Sequence, residues 1–315
     1  MRAAAFAPGS IGNVGPGLDV LGLAVDGLGD TVTLEVVGAP TRIEAVSGRD
    51  AARVPREVER NCAAVAACEV LRRRGLAVEV AITVCKGTPF AGGLGGSAAS
   101  SVAGARAAQL LACALRGAGA GPADDDDSKL AELFAAALAG ESAVAGAHLD
   151  NIAPAALGGL ALVRSVVPID VVALPVLAPW WLALWTPAVE IETRAARAML
   201  PAQSERATWV QQMANTAALV HAFGSGDGAL LSRALDDRYA EPLRAALIPR
   251  FAAVKAAALA AGAFGGSISG SGPTTFAIAA DEETARAAAE AMRRAGAVDA
   301  AVHVGAIARR GVRAA

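Results

Sequence analysis

Residues Gly87 to Gly104 read GTPFAGGLGGSAASSVAG, in which a cluster of glycines stands directly before Ser97 and a run of small residues. A strand-like stretch, LAVEVAITV from Leu76 to Val84, comes just before this cluster. Glycine permits backbone conformations and close approaches that other residues do not. The pattern therefore predicts a strand, a tight glycine loop and a helix that begins near Ser97.

The first turn of a helix leaves backbone N–H groups without partners inside the helix, and the helix dipole favours negative charge there. Glycines before such a turn let these N–H groups surround a polyphosphate, so the loop can hold ATP. It lacks the GK[ST] ending of a Walker A loop, and it is not a dinucleotide-binding GxGxxG. Taken alone, the stretch is also explained by a flexible glycine turn that Ser97 caps.

Composition excludes several classes of protein. The chain has 315 residues, a net charge of −2, 54% hydrophobic and only 18% charged residues, so it is too apolar for disorder and has no basic excess for nucleic acid. The most apolar stretch, residues 171 to 189, contains three prolines and predicts short buried strands separated by turns, not a membrane span. The N-terminal MRAAAFAPGSIGN has no continuous apolar segment, so we expect a soluble cytoplasmic protein without a signal peptide.

Four cysteines without CxxC spacing and three widely separated histidines argue against a disulfide framework or a zinc site. The stretch GAGAGPADDDDSK, from Gly117 to Lys129, is typical of a solvated loop, and we assign no function to it or to its Asp124 to Lys129 part.

Strands followed by separate groups of helices in both halves predict an α+β fold. The predicted strands are Thr31 to Val37, Leu76 to Val84, a segment near Trp181 to Trp185, and Ala300 to Ile307. The predicted helices are Asn61 to Arg74, Ser97 to Leu115, Leu130 to Ala147, Thr193 to Met199, Thr208 to His221, Leu247 to Ala261 and Glu282 to Ala295.

Two further glycine loops accompany the first. PGSIGNVGPGLDVLGLAV, from Pro8 to Val25, contains Asn13 and Asp19, and SGSGPTT runs from Ser269 to Thr275. Each loop by itself is explained by turn chemistry. Three such loops in one chain are harder to explain as independent accidents.

Together the three loops resemble the motifs of the GHMP kinases: a substrate loop near the N-terminus, a PxxxGLGSSAA phosphate loop and a C-terminal glycine loop, in the same order across almost the whole chain. Within that superfamily the chain most resembles the homoserine kinases. The more specific motifs are GNVGPGLDVLGLAV, HLDNIAPAALGG from His148, ETRAAR from Glu192 and EPLRAALIP from Glu241. Two departures stand out, because Gly96 replaces the first serine of GLGSSAA and HLDN replaces the usual HADN or HPDN.

The resemblance implies a two-domain GHMP kinase fold, with a domain like domain 2 of ribosomal protein S5 over residues 1–165 and a ferredoxin-like domain over 166–315. It places ATP at the phosphate loop and Mg²⁺ at Ser97 and Glu141, with Asn61 a weaker nucleotide contact. Without the resemblance, Glu141 is typical of a solvated helix face and Asn61 of a helix N-cap. The implied nucleotide residues are Pro89, Gly92, Gly93, Leu94, Gly95, Gly96, Ser97, Ala98 and Ala99.

On the substrate side, the resemblance implies that Asp19 and Asn13 receive the ammonium group of homoserine. Arginines suit its carboxylate, because a guanidinium group can bind it in a bidentate fork; the implied residues are Arg197 and Arg244. Thr193 is implied as a further substrate contact. From the sequence alone, each arginine is more often solvated, and Thr193 is explained as a helix cap.

The catalytic residues that the resemblance implies are Asn151 and His148. An amide cannot act as a general base at neutral pH, so we expect these two residues to orient the substrate without removing its proton. Asp150 is the rival base. The resemblance thus implies an ATP-dependent kinase that makes O-phosphohomoserine for threonine synthesis and suggests a homodimer. A GHMP kinase for another small alcohol, such as mevalonate or a sugar, and a non-catalytic protein of the same fold remain alternatives.

Overall fold

The computed structural model describes residues 1–117 and 126–315. Residues 118 to 125 of the predicted loop lie outside the described residues. The rest of that prediction is partly wrong, because residues 126 to 129 already belong to a helix. Two β-sheets, each covered by helices, account for most of the described chain.

The first sheet has seven strands. Its main order is β11–β1–β2–β4–β3, and the hairpin β5–β6 extends from β2. Only β3 and β4 run parallel; the other pairs are antiparallel. The strands are β1 (Arg2–Gly12), β2 (Leu21–Val37), β3 (Arg42–Gly48), β4 (Glu79–Lys86), β5 (Leu160–Val166), β6 (Ile169–Leu174) and β11 (Arg313–Ala314).

Four helices pack on this sheet: α1 (Cys62–Arg73), α2 (Gly96–Arg116), α3 (Asp126–Ser142) and α4 (Ile152–Leu157). Small residues let the helices approach closely, since a Cβ atom on Gly104 of α2 would lie 2.3 Å from the Ala63 carbonyl oxygen of α1. Among the described helices, α2 is the one long and apolar enough to cross a membrane, but 72% of its apolar window is buried inside the protein. Its hydropathy therefore reflects a place in the core.

The second sheet has four antiparallel strands in the order β10–β7–β9–β8, the order of a ferredoxin-like sheet. Its strands are β7 (Trp181–Pro187), β8 (Gly265–Ile268), β9 (Thr275–Ala279) and β10 (Ala300–Ala306). The helices of this half are α5 (Thr193–Ala198), α6 (Arg206–Ser225), α7 (Gly228–Ala234), α8 (Glu241–Arg244), α9 (Phe251–Ala260) and α10 (Glu282–Gly296).

Alternation along β7 assigns its side chains to two different cores. Leu182 and Leu184 join a core with α6, α7 and the residues of β1 and β2, so this core lies between the two sheets. Ala183 and Trp185 face the other way and pack with α9 and α10. Because the first of these cores draws residues from both halves of the chain, the two sheets pack against a common core.

The predicted elements are confirmed in type, and the differences lie at their ends. The strand predicted from Thr31 begins ten residues earlier, at Leu21, and the short helix α4 was missed inside the HLDNIAPAALGG motif. β6 is only partly buried, unlike the buried strands expected there. The predicted division at residue 165 falls inside β5, whose partner β6 continues the first sheet to Leu174. We therefore propose a boundary after Leu174, with β11 returning to the first unit.

Candidate active site

The phosphate loop joins β4 to α2. Gly93 and Gly95 have positive φ angles of 75° and 60°, and Gly95 is the N-cap of α2. The alternative in which Ser97 caps the helix is wrong, because Ser97 is the second helical residue and its Oγ donates to Glu141 Oε1 at 2.9 Å. The N-terminal turn of α2 therefore faces the loop with a glycine cap, which leaves room for a ligand's phosphate groups.

Gly95→Ala is expected to destabilise the protein by about 2–4 kcal/mol. The backbone at residue 95 is left-handed, and a Cβ atom there would lie 2.1 Å from Ser10 Oγ, so conformational strain and overpacking add. Gly75→Ala is the matched control: φ is 65°, but no described atom lies within 4 Å of the added Cβ. Urea unfolding measures both variants. If both variants lost the same free energy of unfolding, the crowding around a Cβ atom at position 95 would have no effect on stability.

The three glycine loops meet. Ser269 Oγ and Thr274 Oγ1, in the C-terminal loop, donate to the carbonyl oxygens of Gly93 and Gly92, each at 2.5 Å. The N-terminal loop also joins, since the Ser10 N–H group donates to the Leu94 carbonyl oxygen at 3.1 Å. These hydrogen bonds join residues far apart in the chain, so the three glycine loops lie together in the structure.

Glu141 is buried on α3 with only 7% of its surface exposed, so the reading of a solvated helix face is wrong. Burial raises the pKa of this carboxyl to about 7, although the hydrogen bond from Ser97 opposes the change. Its Oε2 atom is buried and has no hydrogen-bond partner among the described residues. A buried carboxylate oxygen without a partner, beside a serine hydroxyl, fits a hard cation such as Mg²⁺.

No group of three or more His, Cys, Asp or Glu side chains in the described parts of the chain is arranged to hold a metal by itself. This fits a site at which nucleotide phosphates and water supply most ligands, as is usual for Mg²⁺. All four cysteines lie in the described segments and are free thiols.

Asn61 is the N-cap of α1. Its Oδ1 accepts hydrogen bonds from the N–H groups of Ala63 and Ala64, and its Nδ2 donates to the Pro55 carbonyl oxygen. Only 2% of its surface is exposed. The structure therefore favours the capping role, and we leave Asn61 out of the nucleotide site proposed below.

On the other side of the phosphate loop, Asn13 and Asp19 both adopt left-handed backbone conformations, with φ angles of 70° and 61°. Such conformations are costly for residues other than glycine and persist where the surroundings hold them. Asn13 Oδ1 accepts from the Asp19 N–H group at 3.0 Å, and Asn13 Nδ2 donates to the Gly270 carbonyl oxygen at 2.8 Å. Asn13 thus links the N-terminal loop to the C-terminal one.

Asp19 and Arg197 form a bidentate ion pair, with N–O distances of 2.9 and 2.7 Å. They were expected to receive opposite ends of a substrate, and here each neutralises the other. Burial works against the charged form, but hydrogen bonds from Arg197 hold the pKa of the Asp19 carboxyl below its ordinary value. The pair is therefore ionised at neutral pH and sits half-exposed, with its charges accessible to a ligand.

Arg244 and Thr193 stand beside this pair. Arg244 is only 3% exposed, so the alternative in which it is a solvated surface arginine is wrong. Its Nη1 donates to the Gly270 carbonyl oxygen at 3.0 Å. Thr193 does not cap α5; its hydroxyl lies 3.3 Å from the Ser271 hydroxyl. Both residues are thus attached to the C-terminal glycine loop, next to Asn13.

Asn151 is the N-cap of α4, and its Oδ1 accepts from Ser10 Oγ at 2.9 Å. Ser10 is fully buried and was not predicted as a site residue; its position inside the N-terminal glycine loop was the available signal. The bond fixes the amide orientation of Asn151 and leaves Nδ2 as the free donor. Next in the chain, Asp150 is 4% exposed, and burial and the Asp19 charge raise its pKa to about 6.

His148 is half-buried near Asp19 and Arg197. Burial, followed by the positive charge of Arg197, lowers the pKa of the imidazole below its ordinary value of 6.5. The ring is therefore neutral at pH 7. A neutral imidazole suits hydrogen bonding to a substrate better than a charged interaction.

The glycine at position 96 has a local explanation. A Cβ atom on Gly96 would lie 2.8 Å from Thr88 Oγ1, which is itself bonded to Asp30 Oδ1 at 2.8 Å. A serine there would require Thr88 to move. In this chain the Thr88 hydroxyl occupies space next to the loop that a serine would need.

Comparison with known proteins agrees with this geometry. Residues 61–159 match the family described as GHMP kinases N terminal domain, and residues 219–298 match GHMP kinases C terminal. The phosphate loop lies within the first of these matches and the C-terminal glycine loop within the second, so the protein is an ATP-dependent kinase that acts on an alcohol.

The homoserine kinase of Chlorobium phaeovibrioides is 37% identical over 92% of this chain and 90% of its own length. That of Xanthomonas campestris is 39% identical over 93% and 87%. The crystal structure of homoserine kinase from Cytophaga hutchinsonii superposes with a TM-score of 0.90 at 37% identity and covers 100% of this chain and 97% of that one. The chain belongs to the homoserine kinase family of the GHMP kinases.

Proposed function

We propose that this protein transfers the γ-phosphoryl group of ATP to the side-chain hydroxyl of L-homoserine, giving O-phospho-L-homoserine and ADP for threonine biosynthesis. The observation that carries the substrate assignment is the convergence of Asp19, Arg197 and Arg244 next to the phosphate loop. Homoserine carries an ammonium and a carboxylate group, and this cluster offers a partner of opposite charge to each.

The ATP phosphates lie, in this proposal, against Pro89 to Ala99 and the first turn of α2. The backbone N–H groups and the helix dipole favour the negative charge. Glu141 and Ser97 would hold Mg²⁺, which would neutralise negative charge on the ATP phosphates. The partnerless Oε2 of Glu141 supports this assignment.

Homoserine binds where the Asp19–Arg197 pair now stands. Its ammonium group bonds to Asp19 and to the remaining lone pair of Asn13 Oδ1, and its carboxylate bonds to Arg197 and Arg244. Thr193 lies beside the carboxylate. The substrate zwitterion thus replaces each partner of the pair with an equivalent charge, so the exchange leaves no buried charge without a partner.

Asn151 and His148 orient the hydroxyl group. Asn151 Nδ2 is available to donate because Ser10 occupies Oδ1. An amide takes no proton at neutral pH, so transfer proceeds by alignment and charge neutralisation, and the proton leaves to phosphate or water. Positioning and electrostatics supply most of the catalysis in phosphoryl transfer.

Asp150→Asn tests this account against a general base. We expect kcat to fall less than about tenfold, since the variant keeps the shape of the side chain and removes only a charge that does not accept the proton. The profile of kcat against pH should have the same shape in wild type and variant around pH 6, which is close to the pKa of Asp150 in the wild type. A fall of several orders of magnitude with unchanged substrate binding would identify Asp150 as the base.

The decisive experiment measures coupled ADP release with Mg·ATP against homoserine, mevalonate, galactose, serine and threonine. We expect turnover with homoserine alone. Turnover with mevalonate or galactose would support another small-alcohol kinase, and nucleotide binding without turnover would support a non-catalytic protein of this fold.

The proposal also includes a cytoplasmic, homodimeric enzyme without nucleic-acid or membrane partners. Sedimentation tests the oligomeric state, and cell fractionation tests the location.

A further inference from the structure

A second set of polar side chains is buried against the two ends of the phosphate loop. We name Asp30, Lys86, Thr88 and Ser100 the loop clamp. Asp30, on β2, is fully buried, Lys86, at the end of β4, is 7% exposed, and Thr88 and Ser100 are buried as well. None of these four residues belongs to the residues implied for the nucleotide, metal or substrate.

Asp30 accepts hydrogen bonds from the residues of the phosphate loop that directly follow β4. Its Oδ1 accepts from the N–H groups of Gly87 and Thr88, at 3.0 and 3.1 Å, and from Thr88 Oγ1 at 2.8 Å. Its Oδ2 accepts from Ser100 Oγ at 2.6 Å and pairs with Lys86. One carboxylate therefore holds both the first residues of the loop and the first turns of α2.

Lys86 completes the connection to the helix end. Its Nζ donates to the Gly96 carbonyl oxygen and to Ser100 Oγ, both at 2.9 Å. Gly96 is the first residue of α2. Both ends of the loop are thus fastened to the same buried ion pair, although they lie on different elements.

Stability alone does not explain this arrangement, because buried ion pairs are often replaced by apolar residues without loss of stability. A loop with several glycines, in contrast, loses much conformational entropy when it is held in one shape. An anchor that fixes both ends of the loop removes part of that cost from nucleotide binding.

We propose that Asp30 and Lys86 are positioning residues that hold the phosphate loop in the shape that binds ATP. The proposal rests on the proposed function, since it assigns ATP to this loop. In this proposal the clamp acts through the backbone at Gly87, Thr88 and Gly96.

The test uses Asp30→Asn and Lys86→Met. In the first variant an amide N–H₂ group faces the Lys86 ammonium group, and in the second the three donors are lost while the side-chain stem remains. We expect KM for ATP and the directly measured Kd for ATP to rise about 10- to 100-fold, because small displacements of positioning groups have effects of this size. KM for homoserine should change less than about twofold.

Glu132→Gln is the matched control. Glu132 pairs with Arg74 at 2.7 Å in the same half of the protein, and both side chains are largely buried, but the pair lies away from the loop. This variant should lose stability without a change in the Kd for ATP. An equal rise in the control, or an unchanged Kd in both clamp variants, overturns the proposal.

Thr88→Val and Ser100→Ala decide the question if the charge variants do not fold. Each removes one hydroxyl and leaves the ion pair intact, so we expect a folded protein with a smaller rise in the Kd for ATP, about three- to tenfold. Unchanged Kd values in both would also overturn the proposal. Wild-type protein that binds no ATP would instead contradict the proposed function, so the two failures are distinguishable.

Discussion

Glu141→Gln is expected to lower kcat about 100- to 1000-fold, because it removes a charged oxygen ligand at the point where phosphoryl transfer needs charge neutralised. The isosteric amide keeps the volume of the side chain and its contact with Ser97 Oγ. Steady-state kinetics at several Mg²⁺ concentrations measure the effect. A large rise in the Mg²⁺ requirement should accompany the fall in kcat.

Glu132→Gln is again the control, since it makes the same substitution on the same helix, α3, away from the loop. Its kcat should stay within about twofold of wild type. If Glu141→Gln kept the wild-type kcat, Glu141 would not be a metal ligand, and its role would be structural.

The raised pKa of Glu141 also gives a pH signature in metal-free protein. The folded state holds this proton up to about pH 7, whereas the ordinary pKa is 4.5, so between these values the folded state binds more protons than the unfolded state. The free energy of unfolding should therefore fall by about 3 kcal/mol as the pH rises from 4.5 to 7 and then level off. Urea unfolding in EDTA measures it.

In Glu141→Gln this fall should be absent, and the difference between the two proteins measures it. The raised pKa of Asp150 acts in the same direction in both proteins, so the difference contains the titration of Glu141 together with its Coulomb interaction with Asp150. The same pH dependence in wild type and variant would show that burial does not perturb Glu141.

Arg197→Ala is expected to raise KM for homoserine about 100-fold and to leave KM for ATP within about twofold. The reason is that a bidentate guanidinium–carboxylate contact is lost. Removing the arginine also frees the Asp19 carboxylate, which Arg197 holds through two hydrogen bonds. Initial rates over a grid of both substrate concentrations separate the two KM values.

Arg194→Ala is the matched control, because Arg194 is on the same short helix, α5, one turn away, and is exposed. Its kinetics should match wild type. Arg197→Lys should recover little of the homoserine affinity, since an ammonium group cannot form the bidentate fork. Unchanged homoserine kinetics in Arg197→Ala would remove Arg197 from the site.

Local patterns predicted most elements of the fold. α10 illustrates why: apolar residues recur at helical spacing, Asp281 caps the N-terminus through the Thr284 N–H group, and arginines end the helix. The element ends were less predictable, since β2 starts at Leu21 only because β1 and β5 pair with that stretch. Pairing partners are distant in sequence and leave no local signal.

For the site residues too, local patterns predicted some features and distant contacts decided others. Glycine patterns identified the three loops, because left-handed backbone and close approach restrict the residue type itself. They did not reveal that Asn61 serves as a cap, nor that Ser10 orients Asn151 across 141 positions of chain. Burial and hydrogen bonding of these side chains depend on which elements pack against them.

Residue order was sufficient to predict the three glycine loops, the helix that follows the phosphate loop and the α+β pattern, since each depends on backbone preferences and periodicity within a short window. The burial and pairing of the charged side chains became known from the three-dimensional structure. It buried Glu141, paired Asp19 with Arg197 across 178 positions and set Asp30 against Lys86. The physical reason is that solvation and Coulomb energies depend on distance and burial in three dimensions, which residue order does not contain.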